Sequence, residues 1–281
     1  MKLVIFGSGQ GGAMVRRWLS ADSELLAFAD NDSARWNSCV EGTKVLPPQE
    51  ALKLQPELVI IAVLNRETEA DIASQLLKLG YTKDVIGLSE IRRKVDIRLA
   101  TLRLLASEVN GRKIPGACAE LGVYKGDLAR ELNALLPDKE LFLFDTFEGF
   151  ADADIDKERE IVSSTKAKTG DFGDTCIELV KSRLPHPEMT HFYKGRFPES
   201  APNDLPPLCL VSLDTDLYEP TKQGLAYFYP RMVIGGIILI HDYNSTQFLG
   251  VRKAVREFCA AESLAIIPVP DLHGSTMVVK Q

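Results

Sequence analysis

Short apolar runs alternate with stretches of helical period along the chain, and the alternation occurs twice. Residues 2–8 (KLVIFGS) read as a strand, 12–21 as a helix, and ELLAFAD as a second strand ending at Asp30. The runs are too short for buried helices and are bounded by glycine or polar clusters, as strands are. A loop carrying Trp36 and Pro47-Pro48 comes next, then a short helix near 49–54, the strand ELVIIAV, an amphipathic helix over 67–79 and the strand DVIGLS. Strand-helix alternation of this kind predicts a small doubly wound α/β domain over residues 1–88. Residues 89–110 carry Ile91, Val95, Ile97, Leu99, Leu102, Leu104 and Leu105 among basic residues, which predicts one long amphipathic helix linking two domains across 89–112.

A second α/β domain is expected over 113–281. It opens with a strand leading to Glu120, a glycine turn over 122–126, a helix from 127 to about 136, and the strand ELFLFD closing on Asp145. Residues 151–174 are polar with little apolar period, and a loop that long in a compact domain predicts a mobile lid over a ligand. A helix near 175–184, the strand MTHFYKG, a proline-rich turn, the strand LCLVSLD, a helix over 220–228, the strand GGIILIHD and a helix over 249–261 follow. Only DLHG joins the last two strands, LAIIPVP and STMVVK, too few residues for a parallel crossover. The fold class is therefore two doubly wound α/β domains, the second a mostly parallel sheet ending in an antiparallel hairpin.

Composition narrows the functions this fold could carry. The 281 residues are 45% hydrophobic and 26% charged, with a net charge of -6, which suits a globular protein and argues against nucleic acid or an anionic membrane as partner. No apolar run approaches the roughly 20 residues that span a bilayer, and the N-terminus is a strand and glycine turn rather than a leader, so a cytoplasmic location is expected. Cys39, Cys118, Cys176, Cys209 and Cys259 are odd in number and far apart, which predicts reduced thiols rather than disulfides or zinc. His186, His191 and His273 read as surface or loop residues, and Arg92-Arg93-Lys94 as a solvated helix face. A homo-oligomer is expected, with the linking helix as one place for its contact.

Three constellations carry chemistry. In the first domain Gly7, Gly9 and Gly12 form G-x-G-x-x-G between a strand and a helix, with Asp30 about 20 positions on, which is the dinucleotide fingerprint in its proper context. An NAD site, a nucleotide-sugar site and a retained scaffold all remain open there. In the second domain the strand, the turn holding Gly122, Val123, Tyr124 and Gly126, the helix, and the Asp145-Thr146 tip suit an adenosine-like group whose ribose meets Asp145. The turn lacks the bare helix N-terminus that a pyrophosphate needs, so S-adenosylmethionine fits better than a dinucleotide. The third constellation lies at two later strand tips, Asp214-Thr215-Asp216 and His241-Asp242-Tyr243. Tips of neighbouring strands lie about 4.8 Å apart, so carboxylates from both can reach one hard cation such as Mg²⁺. Asp214, His241 and Asp242 are the candidate ligands, and His241 the candidate proton acceptor.

The segments ELGVYKGDLA, LFLFDTFEGF, KGRFPES, SLDTDLYEPTKQGLAYFYPRMVIGGIILIHDY and GVRKAVREF resemble, in order, the macrocin O-methyltransferase family, which methylates sugar hydroxyls in macrolide assembly. The resemblance implies S-adenosylmethionine at Glu120, Gly122 and Asp145, adenine near Gly195, Arg196 and Phe197, magnesium at Asp214 and Asp242, and a sugar or nucleotide-sugar-like acceptor. Where that family reads Asp-Asp-Tyr at the second tip, this chain has His241. A histidine-liganded metal, a metal-free enzyme with His241 as base, and a weakened site all remain open. GSGQGG and FADND resemble the small Rossmann-type domain of sugar-modifying acyltransferases. Against enzymatic methyl transfer stand a non-catalytic nucleotide-binding scaffold and an NAD-dependent reductase.

Overall fold

A computed structural model describes residues 1–272 and 274–281 as two compact units, Met1–Ile97 with Pro270–Leu272, and Arg98–Val269 with the C-terminal residues. His273 lies outside the described residues.

The first unit contains β1 (Lys2–Phe6), α1 (Gln10–Trp18), β2 (Glu24–Ala29), β3 (Cys39–Val40), β4 (Thr43–Leu46), α2 (Pro48–Lys53), β5 (Leu58–Ile61), α3 (Arg66–Lys78), β6 (Asp84–Gly87) and α4 (Leu88–Lys94). Its sheet runs β3-β4-β2-β1-β5-β6. Leu3 and Ile5 pack into one core with Phe28 and Val45, while Val4 and Phe6 pack into another with Val59 and Ile61, so alternate residues serve opposite faces and both faces are buried. The segment expected as a plain loop around Trp36 holds the antiparallel β3-β4 hairpin, turned at Glu41 (φ 47°) and Gly42 (φ 81°).

The expected helix across 89–110 is two helices. Val95 is extended (φ -134°, ψ 114°) and separates α4 from α5 (Ile97–Gly111). Their apolar residues serve different cores: Leu88 belongs to that of β1 and β2, and Leu102, Ala106 and Val109 to one in the second unit. A single straight helix could not present both faces.

The second unit continues with β7 (Ala117–Leu121), α6 (Asp127–Leu135), β8 (Leu141–Asp145), α7 (Asp152–Ile161), α8 (Ile177–Arg183), β9 (Thr190–Lys194), β10 (Leu208–Leu213), α9 (Tyr218–Phe228), β11 (Met232–Ile240), α10 (Leu249–Ala261), β12 (Ile267–Pro268) and β13 (Thr276–Val279). The sheet order is β12-β13-β11-β10-β7-β8-β9, with β13 antiparallel to both β11 and β12, as the short final connection requires. Ala117, Ala119 and Leu121 enter one core and Cys118 the other. The strand order reverses between β7 and β10, and crevices for ligands form outside the carboxyl ends at such a point.

The lid expectation for 151–174 needs correction, because α7 is a packed helix. Ile155 is fully buried, Glu158 accepts a hydrogen bond from the Tyr218 backbone N–H (2.7 Å), and Asp154 pairs with Arg196 (2.7 Å). Its buried face is mostly acidic, satisfied by a backbone donor and a guanidinium, so it leaves no apolar period in the sequence. The exposed remainder includes Phe172, whose φ is 65°.

Candidate active site

The turn after β7 is built around Asp145 at the end of β8. Its Oδ2 accepts the backbone N–H groups of Val123 (2.7 Å) and Tyr124 (2.8 Å), and its Oδ1 accepts the Phe147 N–H (2.7 Å); the Thr146 hydroxyl, 3.4 Å from Oδ1, donates to the Gly149 carbonyl at 2.7 Å. Those three donors leave one of the four lone-pair sites of the carboxylate, on Oδ1, for a ligand. Asp145 thus fixes the conformation of the turn, and a diol reaching it would donate to the remaining site on Oδ1. Gly122 has φ 87°, and an ideal Cβ there would lie 1.9 Å from the Asp214 carbonyl oxygen. The glycine lets the turn of β7 press against the tip of β10. Gly126 is left-handed (φ 75°) and caps the start of α6.

Glu120, beneath this turn, is 2% exposed, and its Oε2 has no hydrogen-bond partner. Burial and the nearby charge of Asp214 push its carboxyl well above the usual range, opposed by Arg98. A buried carboxyl with an open oxygen suits a cationic or hydrogen-bond-donating ligand.

Of the three residues implied to meet adenine, only Gly195 stays by the turn, its N–H donating to the Asp145 carbonyl (3.0 Å). Phe197 is a core residue, 4% exposed and stacked on Phe228 at 5.5 Å, and Arg196 pairs with Asp154 and Glu199. Packing and ion pairing thus already engage the side chains of Arg196 and Phe197.

The two acidic tips converge as expected. His241 Nδ1 lies 2.8 Å from Asp214 Oδ1 and 2.6 Å from Asp242 Oδ2. Arg98, at the start of α5, donates from Nη1 to Asp214 Oδ2 at 2.8 Å. Burial opposes a charge on His241, but the charge of Asp214 and hydrogen bonds to both carboxylates outweigh it and push its pKa up to about 10. For Asp214, burial is likewise outweighed by the charges of His241 and Arg98, which hold its carboxyl well below the usual range. Burial and the charges of Asp214 and Asp242 push Asp216 the other way, well above its ordinary value, with a hydrogen bond to Asp242 adding to the effect. Both carboxylates thus favour the charged form of the ring, a setting that the expectation of His241 as proton acceptor did not include. Sequence reasoning missed Arg98, which lies more than a hundred positions from its partner with nothing in its neighbours to mark it.

The ligand atoms of Asp214, His241 and Asp242 lie within 4.8 Å of one another, close enough for one ion. The donor chemistry does not fit one. A dication would have to expel the hydrogen held between two carboxylates on His241 Nδ1 and share Asp214 with a guanidinium, and cation repulsion opposes both.

A cavity of about 230 Å³ is lined by Phe150, Lys166, Asp171, Phe172, Gln247 and Phe248, with Ala167. Its walls follow β8 and β11, the strands that flank β7 and β10, so it lies at the same carboxyl edge. Phe172 packs edge-on against Phe150 and Tyr124, each at 5.3 Å.

In the first unit the fingerprint residues are largely engaged with one another. Asp30 accepts the Ser8 N–H (2.9 Å), the Ser8 hydroxyl and the Asp32 N–H (2.9 Å). A Cβ on Gly12 would lie 2.0 Å from the Gly7 carbonyl oxygen, so that glycine serves helix-strand packing, whereas Gly9 meets nothing closer than Arg35 at 3.7 Å.

Comparison with known proteins agrees with the topology. Residues 65–273 match the macrocin-O-methyltransferase (TylF) family, and residues 1–86 match C2185-like N-terminal domains. The demethyldecarbamoylnovobiocin O-methyltransferase of Streptomyces niveus is 25% identical over 52% of this chain, which spans 60% of that enzyme's length. An 8-demethyl-8-(2,3-dimethoxy-alpha-L-rhamnosyl)-tetracenomycin-C 4'-O-methyltransferase of Streptomyces olivaceus is 25% identical over 63% of this chain and 70% of its own. Among solved structures, the O-methyltransferase NovP superposes with a TM-score of 0.57 at 22% identity, covering 66% of this chain and 80% of its own. The calicheamicin methyltransferase CalS11 gives 0.52 at 20% identity, covering 77% and 94%. These two show a shared fold. With the family match extending over more than half of its length, the chain belongs to the macrocin-O-methyltransferase (TylF) family.

Proposed function

We propose that the protein transfers a methyl group from S-adenosylmethionine to a hydroxyl of a sugar or glycosylated small molecule. One observation carries the reading: Gly122 presses the nucleoside-type turn of β7 against Asp214, so a donor held on the turn lies beside the polar tips. The printed activities of the relatives, O-methylation in each case and at a rhamnosyl-bearing tetracenomycin in one, support the reaction and the acceptor class.

In this reading the donor's ribose donates to the remaining site on Asp145 Oδ1, and its ammonium meets the open oxygen of Glu120. The acceptor's sugar rests on Phe150 and Phe172, with Lys166, Asp171 and Gln247 offering polar groups at the rim of the cavity. The acceptor oxygen attacks the sulfonium methyl, the carbon-sulfur bond breaks with its electron pair going to sulfur, and the hydroxyl proton is released to water. Catalysis then rests on holding donor and acceptor in line and close. No step is assigned to a metal.

The engagement of the Asp30 carboxylate by Ser8 and the Asp32 N–H supports a scaffold role for the first unit over a nucleotide site. No helix among the described residues is long and apolar enough to cross a membrane. A cytoplasmic homo-oligomer completes the reading, and sedimentation of the purified protein tests the assembly.

Calorimetry with S-adenosylhomocysteine and mass-spectrometric detection of methyl transfer to glycoside acceptors test the function. Binding in the micromolar range, lost in Asp145→Ala, supports it. No binding of S-adenosylhomocysteine, or NADH binding lost with Gly9→Val, would overturn it.

A further inference from the structure

The strand tips of β10 and β11 hold an arrangement that the paired-carboxylate reading does not account for. Asp214 and Asp242 face one point between them, and an imidazole nitrogen occupies it at 2.8 and 2.6 Å from their oxygens. Ionised carboxylates only accept, so the ring that fits between them carries a hydrogen on Nδ1, as the Nδ1–H tautomer and the imidazolium both do. The other oxygen of Asp214 receives the Arg98 guanidinium at 2.8 Å, a permanently positive group held at the start of α5. Asp214 is 22% exposed, Asp242 8%, His241 10% and Arg98 20%, so solvent screens these contacts only partly.

We propose that the His241 ring N–H and the Arg98 guanidinium together take the place of a divalent cation at the paired strand tips, so that this chain's acceptor site is metal-independent. The two groups neutralise the carboxylates and keep them close, as a bound ion would. They also supply hydrogen-bond donors with fixed directions, where an ion would impose its coordination geometry. Arg98 and His241 act here as positioning residues through Asp214 and Asp242. The proposal stands on this geometry and is independent of the identity of the acceptor.

The test reads metal binding directly. Protein stripped with EDTA is titrated with Mn²⁺, and free Mn²⁺ is followed by electron paramagnetic resonance for the wild type, His241→Asp, and His241→Asp combined with Asp214→Asn. The wild type is expected to leave the free Mn²⁺ signal undiminished up to millimolar metal. His241→Asp, which removes the ring N–H and adds an acidic ligand, is expected to bind one Mn²⁺ at least about 100-fold more tightly, given the strength of charge interactions at such distances. The double variant should lose that site. One Mn²⁺ bound by the wild type with micromolar affinity and released by Asp214→Asn would overturn the proposal. So would a folded His241→Asp protein that binds no Mn²⁺, since His241 would then not be what stands in the ion's place. Circular dichroism establishes that each variant is folded, and if His241→Asp fails to fold, the wild-type titration with Asp214→Asn still decides. S-adenosylhomocysteine calorimetry on the wild type tests the donor reading separately, so the failure of one is distinguishable from the failure of the other.

Discussion

Replacing Gly122 by alanine inserts a methyl group between two strand tips that touch through their backbones. The new Cβ would lie 1.9 Å from the Asp214 carbonyl oxygen and 2.7 Å from its carbonyl carbon, where ordinary contact begins at 3.4 Å. Neither atom belongs to a flexible side chain. The tip of β10 must therefore move, and with it the Asp214 N–H that donates to the Leu121 carbonyl at 2.9 Å. The backbone at φ 87° adds a second cost, about 1–2 kcal/mol for an L-residue in the left-handed region. Overpacking adds about 1–3 kcal/mol. The sum, about 2–5 kcal/mol, is a large share of the roughly 5–15 kcal/mol that stabilises a folded protein. The molecule carries its own control, because Trp18 and Trp36, its two tryptophans, both lie in the first unit. In a urea titration the circular-dichroism transition of the second unit should fall to lower denaturant while tryptophan fluorescence holds its midpoint. S-adenosylhomocysteine affinity should drop by at least about 10-fold, equivalent to about 1.4 kcal/mol, as the turn shifts. A variant with both transitions and the affinity unchanged would refute the contact between donor turn and acidic tip on which the functional reading depends.

Further consequences can be checked on the same protein. His241 has its folded pKa raised from 6.5 to about 10, so the stability it contributes is fully present below pH 6.5 and is lost as pH rises through about 10. The gap in urea midpoint between wild type and His241→Gln should accordingly close over that window, and a gap independent of pH would contradict the ion pairing. Glu158→Ala leaves the buried Tyr218 N–H without its acceptor and should cost about 1–3 kcal/mol, with limited proteolysis appearing between residues 151 and 174. A protease pattern identical to wild type would show that α7 is anchored otherwise. Native protein should show two fast thiols with a disulfide reagent, Cys39 and Cys176, and all five in urea, because Cys118, Cys209 and Cys259 are buried.

Sequence patterning determined the central strands and their kinds, though not the β3-β4 hairpin. Runs such as LCLVSL and LFLF have no period because both faces of a parallel strand are covered, and the four-residue link DLHG excluded a parallel end to the sheet. The helix over 249–261 and the pairing of the tips at Asp214 and Asp242 were legible on the same grounds. Elements whose buried faces are polar were not. Asp154 and Glu158 are buried because Arg196 and a backbone N–H await them, and those partners lie tens of residues away in the chain. The break at Val95 was hidden as well, since α4 and α5 are both amphipathic and only the cores they enter tell them apart.

At the site, the residue types were visible in the sequence and their roles were not. That Asp145 spends its oxygens on the turn, that Gly122 accommodates a carbonyl, that Phe197 is core, and that Arg98 and the His241 ring face the acidic tips are all decided by distances across the sheet. Sequence period records which side of an element is buried. It does not record what each buried polar atom meets, and hydrogen bonds and charges act over a few ångströms between residues that only the tertiary fold brings together.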